Sequence, residues 1–371
     1  MKKVCVITTT RADYGLLRWT IEGLSKQSTI QTQVIVTGTH LSEKYGLTYR
    51  QIESDAIKID RKVYYISNDR SSLGIVEETG VCCQKIGKAL YELSPSLVVV
   101  LGDRYELLPI CASALLLNIP IAHIAGGEIT EGAIDNQVRN AITMMASLHF
   151  PNSVEAKNNI IRMKDNDRNV FNVGEPGIEN FYRMNLKSRD ELSKELSLDI
   201  TKKWVLVTLH PETKLPLENN LFMAKSMMEE LLKCEGIEII LSESNADFGG
   251  REMNQYYHSI ENENDQLHIV HSLGQLNYIS FMKQAFFVIG NSSSGVIETP
   301  FLGIPTINIG DRQKGRRLAE NVISANRDKS SIEQAIMTAT KVEYFPPDYS
   351  FGNGKTSEYI VEYIKQYLYD N

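Results

Sequence analysis

A chain of 371 residues, 42% hydrophobic and 23% charged, has room for two globular cores and is neither disordered nor fibrous in composition. Its 39 Lys+Arg against 46 Asp+Glu leave a formal net charge of -7, which argues against a dedicated nucleic-acid binder, so an anionic ligand must be held by local groups. No apolar run approaches the roughly 18 residues of a membrane span, and the short run after Met1-Lys2-Lys3 reads as a first strand instead of a signal peptide.

In chain order, residues 4–8 (V-C-V-I-T) predict a strand, and residues 14–26 a helix with Leu16, Leu17, Ile21 and Leu24 on one face. Q-V-I-V-T-G is a second strand and residues 74–93 a long helix. Residues 96–103 (S-L-V-V-V-L-G-D) carry five apolar residues without alternation, the pattern of a parallel strand covered on both faces. Residues 106–117 read as a helix, I-P-I-A-H-I-A-G-G as a strand ending in two glycines, and residues 136–147 as another helix. A polar stretch, 187–203, reads as a hinge, after which the rhythm restarts with a strand at 204–210 and a helix at 221–232. I-E-I-I-L-S-E-S, H-I-V-H-S-L and A-F-F-V-I-G follow as strands, then P-T-I-N-I-G and an amphipathic helix at 357–369. Alternation at this spacing predicts doubly wound sheets. The expected fold is α/β: two Rossmann-like domains, residues 1–180 and 181–354, facing one cleft, with residues 355–371 able to cross back onto the first. The five scattered cysteines (Cys5, Cys82, Cys83, Cys111, Cys234) contain no C-x-x-C pair and fit reduced thiols in a cytoplasm.

Ligands of open α/β sheets bind beyond the carboxyl ends of the strands, and the segments there are polar. G-N-S-S-S-G (residues 290–295) ends a strand and opens a helix expected over 295–302, so free N–H groups and the hydroxyls of Ser292 and Ser293 face an anion, with Arg312 or Arg316 as a nearby cation. A serine-capped structural helix is the alternative. No Walker or G-x-G-x-x-G pattern is present, which lowers the odds of an NTPase or a standard dinucleotide binder. Glu298 is placed either at a ribose hydroxyl or in solvent. Asp103 and Arg104 directly follow the most buried strand, where a carboxylate is poorly solvated and suited to acid/base work, unless the two simply pair with each other. Glu128, Glu131 and Asp135 follow the Gly126-Gly127 turn, where glycine lets backbone approach a ligand. His210 ends a strand at the expected cleft, whereas His268 and His271 are three apart in a strand and so on opposite faces, which argues against a metal pair. No Cys/His cluster or G-x-S-x-G elbow points to zinc or to serine hydrolysis.

The ordered set T-R-A-D-Y-G, V-T-G-T-H, L-G-D-R-Y-E, G-G-E…G-A-I-D, V-R-N-A-I-T, H-P-E-T, S-N-A-D, G-N-S-S-S-G and I-N-I-G-D-R-Q-K-G-R, from residue 10 to 316, closely resembles the hydrolysing UDP-N-acetylglucosamine 2-epimerases. The resemblance implies a glycosyltransferase-B-like fold and hydrolysis of UDP-N-acetylglucosamine with inversion at C2, through a 2-acetamidoglucal. It implies that Arg11, Arg104, Ser292, Ser293 and Arg312 lie on the diphosphate side, Asn245 and Glu298 on the nucleotide side, His40 near the sugar and His210 near diphosphate and sugar. Asp103 and Asp135 match two catalytic acids. Some members carry a third, a Glu, where this chain has Ala125, and Glu128 stands in for it; Asn140 replaces a frequent His. No metal or other cofactor, nucleic acid or membrane partner is expected, and a cytoplasmic homodimer or homotetramer is. The runner-up is a hydrolysing UDP-N,N′-diacetylbacillosamine 2-epimerase, followed by a non-hydrolysing epimerase and a non-catalytic UDP-sugar-binding module.

Overall fold

The computed structural model describes every residue except 68, 70, 130–133, 213–214, 245–248, 343 and 371, and gives only the backbone of Ser72 and Asp370. The chain divides into two compact units, Met1–Glu179 with Gly352–Asn371, and Asn180–Phe351.

The first unit is built on a parallel sheet of β1 (Lys2–Thr8), β2 (Ile30–Thr37), β3 (Arg61–Val63), β4 (Leu97–Leu101), β5 (Ile121–Ile124) and β6 (Leu148–Phe150), in the order β3-β2-β1-β4-β5-β6. Successive residues of a strand face opposite sides, and each central strand feeds two cores. Val4, Val6, Leu97, Val99 and Leu101 enter one with Leu17, Ile21 and Leu24 of the helix Arg11–Ser25. Cys5, Ile7, Val98 and Val100 enter the other with Ile86 and Leu90 of the helix Ser72–Leu93 and Ile110 of the helix Leu107–Leu116. Burial on both sides is why β1 and β4 read as unbroken apolar runs. The order reverses at β1 and β4, which opens a crevice at their carboxyl ends.

The helix Thr356–Asp370 completes this unit, with Ile360, Val361, Ile364 and Leu368 buried in the first core. Its start is fixed by Glu179, which accepts from the Ser357 backbone N–H at 2.8 Å and from the Ser357 hydroxyl at 2.5 Å. Tyr363 stacks on Phe171 with ring centroids 3.9 Å apart.

The second unit repeats the topology with β7 (Lys203–Thr208), β8 (Ile237–Ser242), β9 (Leu267–Val270), β10 (Phe287–Gly290), β11 (Thr306–Ile309) and β12 (Val322–Ala325), in the parallel order β12-β11-β10-β7-β8-β9. The stretch 187–203 is not a hinge. It holds the helix Arg189–Leu196, closed by a Ser188/Glu191 capping box, and buries Leu192 and Leu198. The Lys187 N–H donates to Ser280 Oγ at 3.0 Å, and the Arg189 guanidinium lies 3.7 Å over the Trp204 ring. Among the described residues no helix is long and apolar enough to cross a membrane.

Candidate active site

At the carboxyl end of β1, Asp13 organises the backbone. Its carboxylate accepts from the Thr8 hydroxyl (2.5 Å), the Thr9 N–H (2.9 Å), the Thr9 hydroxyl (2.7 Å) and the Thr10 N–H (3.0 Å), while Thr10 caps the helix in return. The T-x-x-D spacing is a capping-box signature that sequence reading could have found. It sets Arg11 as the first residue of the helix, exposed beyond the strand end. His40, expected at the sugar, is fully buried. Its Nε2 lies 2.9 Å from Thr8 Oγ1 and its Nδ1 2.8 Å from Thr48 Oγ1. Thr8 already donates to Asp13, so His40 Nε2–H donates to Thr8 and Nδ1 accepts from Thr48, a neutral tautomer assigned from the network. Burial pushes the His40 pKa down to about 4.

At the ends of β4 and β5 the centre is Arg139, buried on the helix Asp135–Met145. One Nη donates to Asp103 and the other to the Glu128 carbonyl oxygen at 2.8 Å. Asp135 sits one turn before Arg139, on the same helix face. A single guanidinium thus gathers Asp103 and the Glu128 backbone, on a helix that Asp135 opens one turn earlier. Asp103 and Arg104 do not pair with each other: Arg104 forks onto buried Glu106 at 2.7 and 3.2 Å, and Asp103 keeps 29% of its side-chain exposure. The Glu128 carboxylate accepts from Asn152 Nδ2 at 2.7 Å, and Glu175 accepts from the same amide at 2.8 Å.

The glycine pair serves the protein's own packing. A Cβ on Gly126 would sit 2.8 Å from His123 Nδ1, and one on Gly127 (φ +82) would overlap the Ala156 carbonyl. His123 is fully buried and donates from Nε2 to the Gly102 carbonyl at 2.8 Å, so it props the turn that carries Asp103. Glu131 lies outside the described residues.

In the second unit the hub is Asn291, 1% exposed. Its side-chain amide pairs with the His210 main chain, Nδ2 to the carbonyl and Oδ1 from the N–H, both at 2.8 Å. Its own carbonyl accepts from Arg312 Nη1 at 3.1 Å and Gln313 Nε2 at 2.8 Å. Three loops, carrying His210, Ser292 and Arg312, are tied through this one residue. Glu212 adds a second tie, accepting from the Asp311 N–H at 2.9 Å and from Arg327 at 2.6 Å. The helix expected over 295–302 is two short ones, Ser294–Ile297 and Thr299–Leu302, broken at Glu298 with Pro300 in the first turn of the second. Ser292 and Ser293 are partly exposed, and Ser293 stands at the cap position without a side-chain cap bond. Asn245 lies outside the described residues.

A family model described as UDP-N-acetylglucosamine 2-epimerase matches residues 22–365. The chain belongs to this family. It is 33% identical, over 92% of its length and 88% of the relative's, to the GDP/UDP-N,N′-diacetylbacillosamine 2-epimerase (hydrolyzing) of Campylobacter jejuni. It is 34% identical to the polysialic acid biosynthesis protein P7 of Escherichia coli, over 91% of this chain and 85% of that one. A crystal structure of UDP-GlcNAc 2-epimerase from Neisseria meningitidis bound to UDP-GlcNAc has the same fold, with a TM-score of 0.81 over 99% of this chain and 100% of that one at 18% identity.

Within this epimerase-family chain, the residues that sequence reading left without a role are the ones that tie the strand-end loops together, Asp13, Arg139 and Asn152 within the first unit and Glu212 and Asn291 within the second. Most join segments far apart in sequence, and no local pattern marks such a pair. Among the described residues no group of three or more His, Cys, Asp or Glu side chains is arranged to hold a metal ion.

Proposed function

We propose that the chain is a hydrolysing 2-epimerase that converts UDP-N-acetylglucosamine and water into N-acetylmannosamine and UDP, as a cytoplasmic homo-oligomer in sialic acid synthesis. The observation that carries this reading is Arg139 holding Asp103 and the Glu128 backbone, with Asp135 one turn away. The chemistry needs acid and base groups close together: one takes the C2 proton as the C1–O bond breaks and UDP leaves with the electron pair, giving 2-acetamidoglucal. Water then adds its oxygen at C1, and C2 receives a proton on the opposite face, which inverts that centre. Asp103, Glu128 and Asp135 supply the carboxyl groups. Arg11, Arg104 and Arg312, with the Ser292–Ser293 turn, offset the charge developing on the leaving diphosphate, Glu298 and Asn245 serve the nucleoside, and His210 the diphosphate–sugar link. His40 acts from behind the surface, through Thr8 and Asp13.

A second reading, hydrolysis of UDP-N,N′-diacetylbacillosamine, is favoured by the name of the Campylobacter relative. Free UDP is measured after incubation with each sugar nucleotide. Release from UDP-N-acetylglucosamine supports the first reading, release only from the diacetylated 6-deoxy sugar supports the second, and no release from either overturns both. Asp103→Asn is expected to slow UDP release by at least ~100-fold while UDP affinity stays within about twofold. Loss of UDP binding instead would make Asp103 structural.

A further inference from the structure

Behind the G-N-S-S-S-G turn lies a row of hydroxyls. The phenol of Tyr278, on the helix Gly274–Met282, is 2.5 Å from Ser294 Oγ, and Ser294 Oγ is 3.0 Å from Ser292 Oγ. Thr208, the last residue of β7, stands 3.5 Å from the phenol, at the outer limit of a hydrogen bond.

We propose that Tyr278 is a positioning residue that aims the Ser292 hydroxyl at the diphosphate of the bound nucleotide by way of Ser294. The inference rests on the reading of the Ser292 turn as the diphosphate site. A hydroxyl has one proton and two lone pairs. When Ser292 gives its proton to a phosphate oxygen, its own oxygen can accept from Ser294. Ser294, having given its proton, accepts from Tyr278, which ends the chain as a donor. An anion at Ser292 therefore selects one direction for the whole row, and each bond polarises the next. Burial pushes the Tyr278 phenol up, so it keeps its proton. No proton crosses the row; the effect is orientation, and it grows as UDP gathers negative charge on leaving.

Tyr278→Phe removes only the terminal hydroxyl and keeps the ring. The full chain carrying it is expected to bind UDP about five- to tenfold more weakly and to bind uridine, which has no phosphate, unchanged. Ser294→Ala is expected to do the same, and the double variant to be no worse than Ser294→Ala alone, because members of one network are not additive. Equal weakening of UDP and uridine, additive losses, or wild-type UDP affinity in Tyr278→Phe each overturns the relay. Ser292→Ala separates the two ideas. If it weakens UDP while Tyr278→Phe does not, only the relay falls; if it leaves UDP binding intact, the assignment of the turn falls and the relay with it.

Discussion

Asn291 holds the His210 main chain with both ends of its amide and the Arg312 loop with its carbonyl. Asn291→Ala strips two hydrogen bonds from the His210 segment and leaves Arg312 its backbone partner. The expected result is a fall in kcat/KM of about tenfold or more, with UDP affinity less affected and a loss of stability of about 1–3 kcal/mol. Steady-state kinetics beside urea unfolding checks this, and an unchanged kcat/KM would remove Asn291 from the positioning of His210. At this scale the sequence was legible where a residue's place depends on its neighbours in the chain: Arg11, the first helical residue after β1, and Arg312, in the loop after β11, are both exposed just beyond strands that the apolar pattern marks. It was not legible where the partner is distant. Asn291 lies 81 residues from His210, and Arg139 lies 36 from Asp103. His40 shows a different limit, since a histidine after a strand reads the same whether it faces a ligand or fills a buried network.

The long central strands and their helices were readable because burial on both faces leaves an apolar run and burial on one face leaves a stripe. The strands β3 (R-K-V), β6 (L-H-F) and β12 (V-I-S-A) were not, being three or four residues long at the outer positions of their sheets, too short for any period to register. The 187–203 stretch misled because its charge lies on the solvent side of a short capped helix, while two leucines carry the packing. Between β5 and the helix Asp135–Met145, Gly127 adopts φ +82 with no space for a Cβ against the Ala156 carbonyl. Gly127→Ala is expected to cost about 2 kcal/mol or more, through both the left-handed backbone and the overlap. Chemical denaturation measures it, and a change within about 0.5 kcal/mol would mean that the turn re-forms without strain.

Three histidines, His40, His123 and His149, are buried in the first unit, and burial lowers their pKa values from 6.5 to about 4, 4 and 3. Unfolding lets each bind a proton near pH 6.5 that the native state refuses, so stability is full above that pH and falls as the pH drops toward 4. Each contributes a loss of up to roughly 3 kcal/mol. In the second unit the exposed His258, between Glu243 and Glu261, has its pKa raised, so its contribution runs the other way, present in acid and lost as pH rises. The first unit should therefore yield first in acid. Trp19 and Trp204, one in each unit, are the two tryptophans available to report it. In Trp19→Phe and Trp204→Phe variants unfolded in urea at pH 7.5 and at pH 5, the Trp19 transition should move to lower urea by more than the Trp204 transition. Equal movement would contradict the assignment to the buried histidines. The helix Thr356–Asp370 reaches further than packing: it fills a core whose first strand was made about 350 residues earlier. On the ribosome the second unit, continuous in sequence, can close while the first still waits for its last wall. A nonsense codon after residue 351 would spare every residue assigned to the chemistry and still leave the first unit's apolar face open to chaperones and proteases.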